Sequence, residues 1–478
     1  MPPHTGRNLV SQLIRPPQKH IDQPTQTAGA ARPVSTTGNV TPPAVPRSLV
    51  DTGLTLAHLA DLSLKLLYLH GSLTGGEICR QLRLPFSVVE EALTFLRQVK
   101  CLEVRSGEML GQLTYRFLLT EEGRARAREA FEQSRYVGPA PVSLRQYVEQ
   151  CRRQRVSGIE CTSERLTPAF DGMLVRPGLL DELGPAICDG QAIFLHGPPG
   201  NGKTLMARRI GRYLNTYGGE IYVPYAVLID SAIVTVFDPN VHQTTDDAEC
   251  GDALLPASFD HDAGGSLVKP AANGAVDQRW RRIRRPVVIT AGELTLEMLD
   301  LRFNADSRYY SAPSHLKANG GVFVIDDFGR QQVTPRELLN RWILPLAERI
   351  DYLALATGKK FAVPFDQLVI FSTNLDPAEL VDDAFLRRIR HKLSVSPPSR
   401  EQFSELFRRS CDARGIVSDG ECIGHLFSNH YSLARPPRWS DPQDLLEIAA
   451  CICRFRGTEV RLSRELISEA ARRFFGTA

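Results

Sequence analysis

The chain has 478 residues, 42% of them hydrophobic and 23% charged, which is room for two or three cores and excludes a fibrous, collagen-like or wholly unfolded polypeptide. Its 57 basic and 54 acidic residues give a net charge of +3, too small for polyanion binding over the whole surface, so only local charge is informative. No apolar run approaches the roughly 18 to 20 residues of a membrane-spanning helix, and Arg7, Arg15 and Lys19 stand without an apolar signal core. A cytoplasmic protein with no membrane insertion is expected. The ten cysteines are scattered with no two-residue CxxC spacing, which predicts reduced thiols rather than a zinc or redox motif.

Residues 1–47 hold nine prolines and almost no large apolar side chain, so they cannot bury enough surface to offset chain entropy and read as a disordered N-terminal tail. From Val50 the period becomes helical. Leu56, Leu59, Leu62, Leu66 and Leu67 share one face, then come Ile78 to Leu82 and Val88 to Val99. Two strand-like runs, Leu102 to Arg105 and Leu113 to Leu119, flank Ser106 and Gly107, and Thr120-Glu121-Glu122 starts another helix. Residues 50–135 therefore look like a winged-helix domain. Its third helix carries Glu90 and Glu91 against Arg97 and Lys100, so the face that would meet a major groove is not cationic, and partner docking is expected ahead of DNA reading. Residues 136–154 read as a linker helix after the Pro/Gly punctuation at 138–141.

Ala192 to Leu195 is a short buried-strand run, followed by Gly197-Pro198-Pro199-Gly200-Asn201-Gly202-Lys203-Thr204 and then by the helical pattern that opens with Leu205. Strand, glycine-rich loop and helix in this order make a phosphate-binding loop. The glycines let backbone N–H groups converge on phosphate oxygens at a helix N-terminus, Lys203 reaches the β- and γ-phosphates, and Thr204 ligates Mg²⁺. A second apolar run, Val322 to Ile325, ends in Asp326 and Asp327. Asp326 is expected on the metal, and Asp327 is expected to orient the attacking water, a task more often given to the longer Glu. A third run, Leu368 to Phe371, ends in Ser-Thr-Asn374, which brings an amide beside the γ-phosphate.

These elements in this order resemble the AAA+ ATPase superfamily, with Walker A at 197–204, Walker B at 322–327 and sensor 1 at Asn374. The resemblance implies a P-loop NTPase fold of the α/β class, a three-layer parallel sheet over residues 155–396 with a helical lid over 397–478, using ATP and Mg²⁺. It also implies a homo-oligomer, a hexameric ring, in which Arg387 or Arg388 acts as an arginine finger on a neighbour's nucleotide. A hairpin pattern at 351–363, with its turn at Thr357-Gly358-Lys359, resembles the pre-sensor-1 hairpin clade. Lys203 and Asp326 are 123 positions apart, which indicates an insertion near 241–285. That insertion ends in Arg279-Trp-Arg-Arg-Ile-Arg-Arg285, open to three readings: a nucleic-acid contact, a substrate-gripping loop, or a solvated basic edge. Directly before Asp444-Leu445-Leu446 the family's sensor 2 arginine is replaced by Gln443, leaving Arg435 or Arg438 as substitutes. The whole arrangement resembles bacterial winged-helix AAA+ ATPases described as having chaperone activity, with a suggested link to Flp pilus assembly.

The expected function is an oligomeric ATPase that remodels a protein client. Two alternatives stay open: a nucleic-acid-linked AAA+ ATPase, and a slowly hydrolysing ATP-dependent switch motivated by Asp327 and Gln443. Because every nucleotide motif lies beyond residue 196, the N-terminal module is expected to be dispensable for them.

Overall fold

Three runs of four or more consecutive apolar residues can be buried on both faces only inside a parallel sheet. The protein, seen in a computed structural model that describes residues 40–105, 113–245, 276–376, 380, 386–418 and 420–476, uses them in that way. Five parallel strands lie in the order Val287–Thr290, Val322–Ile325, Leu368–Thr373, Ala192–His196, His391–Ser394. Alternate residues divide the two faces. Ile193, Leu195, Val322, Val324, Leu368 and Ile370 pack with the helices Leu179–Asp189 and Lys203–Tyr217, while Phe194, Phe323, Ile325, Val369 and Phe371 pack with the helix Pro335–Glu348. The result is a helix–sheet–helix α/β layering.

A second, mixed sheet stands outside this parallel one, in the order Arg302–Asn304, Tyr309–Ser311, Ala232–Thr235, Ala226–Ile229, Val142–Ser143. Beside it Ile221–Pro224 pairs antiparallel with Trp280–Ile283. The hairpin Ile350–Ala354 with Lys360–Pro364 packs Leu353 and Val363 into the same core, and Gly358 takes φ 81° at its turn. Its first strand is tied to the parallel-sheet layer by Asp351. This buried carboxylate meets His315 Nε2 at 2.8 Å and Arg341 Nη1 at 2.6 Å; burial alone would raise its pKa, yet these two partners hold it below the usual carboxylate range.

The basic stretch at 279–285 divides between interior and surface, and its two end arginines depart from all three readings. Arg279 is fully buried, paired with Asp277 at 2.8 Å, and donates Nη1 to the carbonyls of Thr52 (3.0 Å) and Pro141 (3.2 Å). Arg285, also buried, donates to the carbonyls of Gly218 at 2.7 Å, Gln154 at 3.1 Å and Gly320. Trp280 is core. These residues are internal struts; only Arg282 and Arg284 of the stretch are exposed.

The N-terminal part has helices Leu56–His70, Gly75–Leu82 and Phe86–Gln98, an antiparallel sheet in the order Ser72–Thr74, Arg116–Leu119, Leu102–Arg105, and a closing helix Glu121–Gln133. The strand expected from Leu113 begins at Arg116, and Ser106 and Gly107 lie outside the described residues. On the third helix Glu91 is exposed and Glu90 half-buried. The core of Leu59, Leu66, Ile78, Val89, Leu93 and Phe117 does not stop at this module: it continues through Ala226, Leu228 and Ile233 of the second sheet. The tail expected over 1–47 lies outside the described residues as far as 39, whereas residues 40–47 are held against the body. Pro43 O accepts from Asp277 N at 2.9 Å, and Thr41 O from Gln150 Nε2 at 3.1 Å.

Four helices close the chain, Arg400–Asp412, Glu421–Asn429, Asp441–Arg456 and Arg464–Phe475, at the positions where the sequence pattern is helical. Ser399 and Ser463 cap the first and last of them. Phe403, Phe407, Leu426, Leu445, Leu446 and Ile467 form a core to which the parallel sheet contributes nothing.

Candidate functional site

The loop after the strand Ala192–His196 is glycine-rich because its backbone leaves room for nothing else. Gly197 takes φ 141°, and a Cβ there would sit 2.3 Å from the carbonyl oxygen of Val395. Gly200 and Gly202 take φ 78° and 81°, and Gly202 is the N-cap of the helix Lys203–Tyr217. Lys203, the first residue of that helix, is 6% exposed. Its Nζ donates to the carbonyls of Gly197 (2.8 Å) and Pro198 (2.9 Å) and to Asn374 Oδ1 (2.6 Å). Burial pushes the Lys203 ammonium below its ordinary pKa, opposed by the charges of Asp327 and Asp326.

The sheet order sets the C-terminal ends of the strands Ala192–His196, Leu368–Thr373 and Val322–Ile325 side by side, and the remaining expected residues follow from it. Thr204 Oγ1 donates to Asp326 Oδ2 at 2.6 Å. Asn374 Nδ2 donates to Asp327 Oδ1 at 2.7 Å, so one amide joins Lys203 to Asp327. Asp327 itself takes φ 49°, a left-handed conformation that costs a non-glycine residue energy. The surrounding loop keeps it there: Phe328 N donates to Ser372 O and Thr373 Oγ1 to Phe328 O, both at 2.7 Å. Lys203, Thr204, Asp326, Asp327 and Asn374, scattered over 172 positions, form two hydrogen-bonded sets side by side at the end of the sheet, a cluster joined through the adjacent Lys203 and Thr204.

Other expected residues contribute no side-chain bond to that cluster. Pro198, Pro199 and Gly200 are exposed on the loop, Asn201 is buried, and Leu205 is 45% exposed. Arg387 is exposed and Arg388 half-buried ahead of the strand His391–Ser394; among the described residues no hydrogen bond or ion pair joins Arg387 to the cluster. The structure adds a contact absent from the sequence reading. Ser440 N donates to Gly200 O at 3.0 Å, Trp439 N to Asn201 Oδ1 at 3.4 Å, and a Cβ on Gly200 would lie 2.9 Å from Arg438 Cδ. Residues 438–440, at the start of the third C-terminal helix, thus rest on the loop. Of the two arginines considered in place of Gln443, Arg438 is beside the site, while Arg435 stacks over Phe475 at 5.1 Å.

Residues 399–473 match a family described as a domain of unknown function, DUF8689. Over 81 residues the chain is 40% identical to the vesicular-fusion protein sec18 of Schizosaccharomyces pombe, covering 17% of this chain and 10% of that protein. Over 77 residues it is 31% identical to the proteasome-activating nucleotidase of Methanoculleus marisnigri, covering 15% and 18%. These matches support a relationship to the AAA+ ATPase superfamily. The chain spans less than a fifth of the length of either relative. Among solved structures, NtrX from Brucella abortus aligns at 14% identity over 65% of this chain and 57% of that one, with a TM-score of 0.38.

Among the described residues no helix is long and apolar enough to cross a membrane.

Proposed function

We propose that this chain is an AAA+ ATPase that couples ATP binding and hydrolysis to the remodelling of a protein partner. The observation that carries the reading is the cluster in which Lys203, Asn374 and Asp327 are bonded in series beside the Thr204–Asp326 pair. The residues fit the nucleotide. The loop's backbone turns at glycines that a Cβ would block, and Thr204 and Asp326 offer two hard oxygen ligands 2.6 Å apart, the donor type Mg²⁺ takes alongside phosphate oxygens. Bound there, Mg²⁺ neutralises charge developing on the phosphates. Gly197, Pro198, Pro199, Gly200, Asn201, Gly202, Lys203, Thr204 and Leu205 hold the phosphates, with the Lys203 ammonium as the fixed positive charge. Asp327 orients a water through its carboxylate, which Asn374 aims.

In this reading the C-terminal helices act as the lid, Arg438 serves the nucleotide in place of Gln443, and the N-terminal winged helix docks the client. Arg387 or Arg388 completes the site of a neighbour in a homo-oligomeric, hexameric ring. The burial of Arg279 and Arg285 and the exposed Glu91 weigh against the nucleic-acid alternative.

Lys203→Ala is expected to abolish ATP binding measured by titration calorimetry, whereas Arg387→Ala/Arg388→Ala keeps binding and assembly but loses hydrolysis. Unchanged affinity in Lys203→Ala removes the assignment of the loop.

A further inference from the structure

Along the outer face of the helix Lys203–Tyr217 runs an open groove of about 760 Å³, bounded on its far side by the strand Trp280–Ile283. Four arginines line it. Arg208 and Arg212 lie one turn apart on the helix; Arg282 and Arg284 lie two residues apart at the strand. One carboxylate, Glu220, is paired with Arg282. Among the described residues no carboxylate is within ion-pair distance of Arg208, Arg212 or Arg284, all three exposed. On a chain whose net charge is +3, this is a local concentration of positive charge with a shaped floor.

We propose that this groove binds an extended acidic peptide segment of a partner protein. The two arginine rows repeat at about 6 Å along the helix and about 6.6 Å along the strand, and acids on alternate residues of an extended peptide recur at nearly the same interval. Guanidinium groups meet carboxylates through paired N–H donors, so Arg208 and Arg212 can hold successive acids in register while Arg284 meets an acid from the opposite wall. The strand's outer edge is already filled. Thr245 N donates to Arg282 O at 3.1 Å, and Arg284 N to Gln243 O at 2.9 Å, so the groove offers side-chain charge rather than free backbone for strand addition. A single-stranded nucleic acid would also need aromatic faces on which to stack bases. Tyr222, among the described residues the one aromatic side chain lining the groove, is packed against the core of the second sheet.

None of the four arginines belongs to the nucleotide cluster, so the inference stands whether or not the chain hydrolyses ATP. Arg208 and Arg212 nevertheless ride on the helix that begins with Lys203 and Thr204, which places an occupant of the groove on the same rigid element as the proposed phosphate site.

The test uses the full chain and a fluorescein-labelled peptide of roughly a dozen residues alternating Glu and Thr, about 40 Å when extended, followed by anisotropy at physiological salt. Binding is expected, weakening as salt rises, and absent for the same peptide with Gln in place of Glu. Arg208→Glu/Arg212→Glu should weaken it roughly tenfold or more, and Arg284→Glu, on the opposite wall, should do so independently. All three positions are exposed, and unchanged melting temperatures establish that the variants fold. No binding, or equal binding by wild type and both variants, overturns the proposal. So does tighter binding of an oligothymidylate that the same substitutions abolish, which would assign the groove to nucleic acid. Peptide binding that appears only after deletion of residues 246–275 would make the chain itself the occupant and overturn it as well.

Discussion

The helical modules at the two ends of the chain are joined to the rest of the molecule in opposite ways. The N-terminal one shares a continuous apolar core with the second sheet through Ala226, Leu228 and Ile233, and the buried Asp277–Arg279 pair reaches back to the carbonyl of Thr52. Backbone bonds add to the joint, Ala140 N to Leu82 O and Arg135 N to Ser307 O, both 2.9 Å. The C-terminal module keeps its core to itself and meets the glycine-rich loop through hydrogen bonds from Trp439 and Ser440 and the side-chain carbons of Arg438, with Trp439 Nε1 also donating to Ser396 O at 3.0 Å. Apolar surface shared between elements is worth about 25 cal/mol per Å² and is lost when they part, whereas exposed hydrogen bonds exchange with water at little net cost. The N-terminal joint therefore rests on shared buried apolar surface, and the C-terminal one on a few hydrogen bonds. The nucleotide motifs all lie beyond residue 196, but removal of the N-terminal module would bare Leu228 and Ile233 and strip Arg279 of an acceptor.

The largest expected effect tests the N-terminal joint. Arg279→Ala leaves Asp277 buried and uncompensated and should cost roughly 3–5 kcal/mol by denaturant unfolding, with the N-terminal helices and the second sheet losing protection from hydrogen exchange together. An Asp277→Leu/Arg279→Met pair should recover much of the loss; loss confined to one of the two regions would show that the core is not shared. In the other module, Leu446→Ala removes a fully buried side chain and should cost about 3 kcal/mol. Here hydrogen exchange should rise in residues 400–475 alone, and a rise that spreads into the parallel sheet would contradict the autonomy of that core.

A smaller effect sharpens the N-terminal side of the comparison. Lys65, buried on the helix Leu56–His70, donates to Ser134 O at 3.1 Å, and burial pushes its pKa down to about 8. The unfolded chain holds this proton more tightly than the folded one, so below pH 8 the charge carries its full penalty, which fades as pH rises from about 8 toward 10.5. Lys65→Met should accordingly stabilise the protein by roughly 2 kcal/mol at pH 7, after the lost bond is allowed for, with the advantage shrinking through that window. Thermal melts at pH 7 and pH 10 measure it, and a pH-independent difference would show that the penalty is absent. The smallest effect belongs to the C-terminal joint. Arg438→Ala, at an exposed position, should change stability by less than about 0.5 kcal/mol yet weaken ATP binding about threefold to tenfold, measured by calorimetry.

Much of the architecture is legible along the chain because it is written in local periods. Uninterrupted apolar runs followed by His196, Asp326 and Ser372 require strands covered on both faces, the Gly197 to Thr204 spacing requires a turn into a helix, and Ser463 announces a helix start. The hairpin at 350–364 is legible for the same reason, since its turn and its alternation are contiguous.

What local pattern could not supply is the identity of partners that are distant in sequence. Arg279 and Arg285 look like surface charge because their residue type is usually exposed, and only the assembled fold shows that carbonyls of Thr52, Pro141, Gln154, Gly218 and Gly320 converge on them. The same holds at the candidate site. The sequence by itself determined which side chains end the three strands and begin the helix; the strand order decided that Asn374 lies between Lys203 and Asp327, and the packing of the C-terminal module decided that Arg438 rather than Arg435 rests on Gly200. Local conformation depends on neighbours within a turn or a hairpin, whereas long-range contacts depend on register, topology and the whole set of surfaces buried together, which no window of the sequence contains.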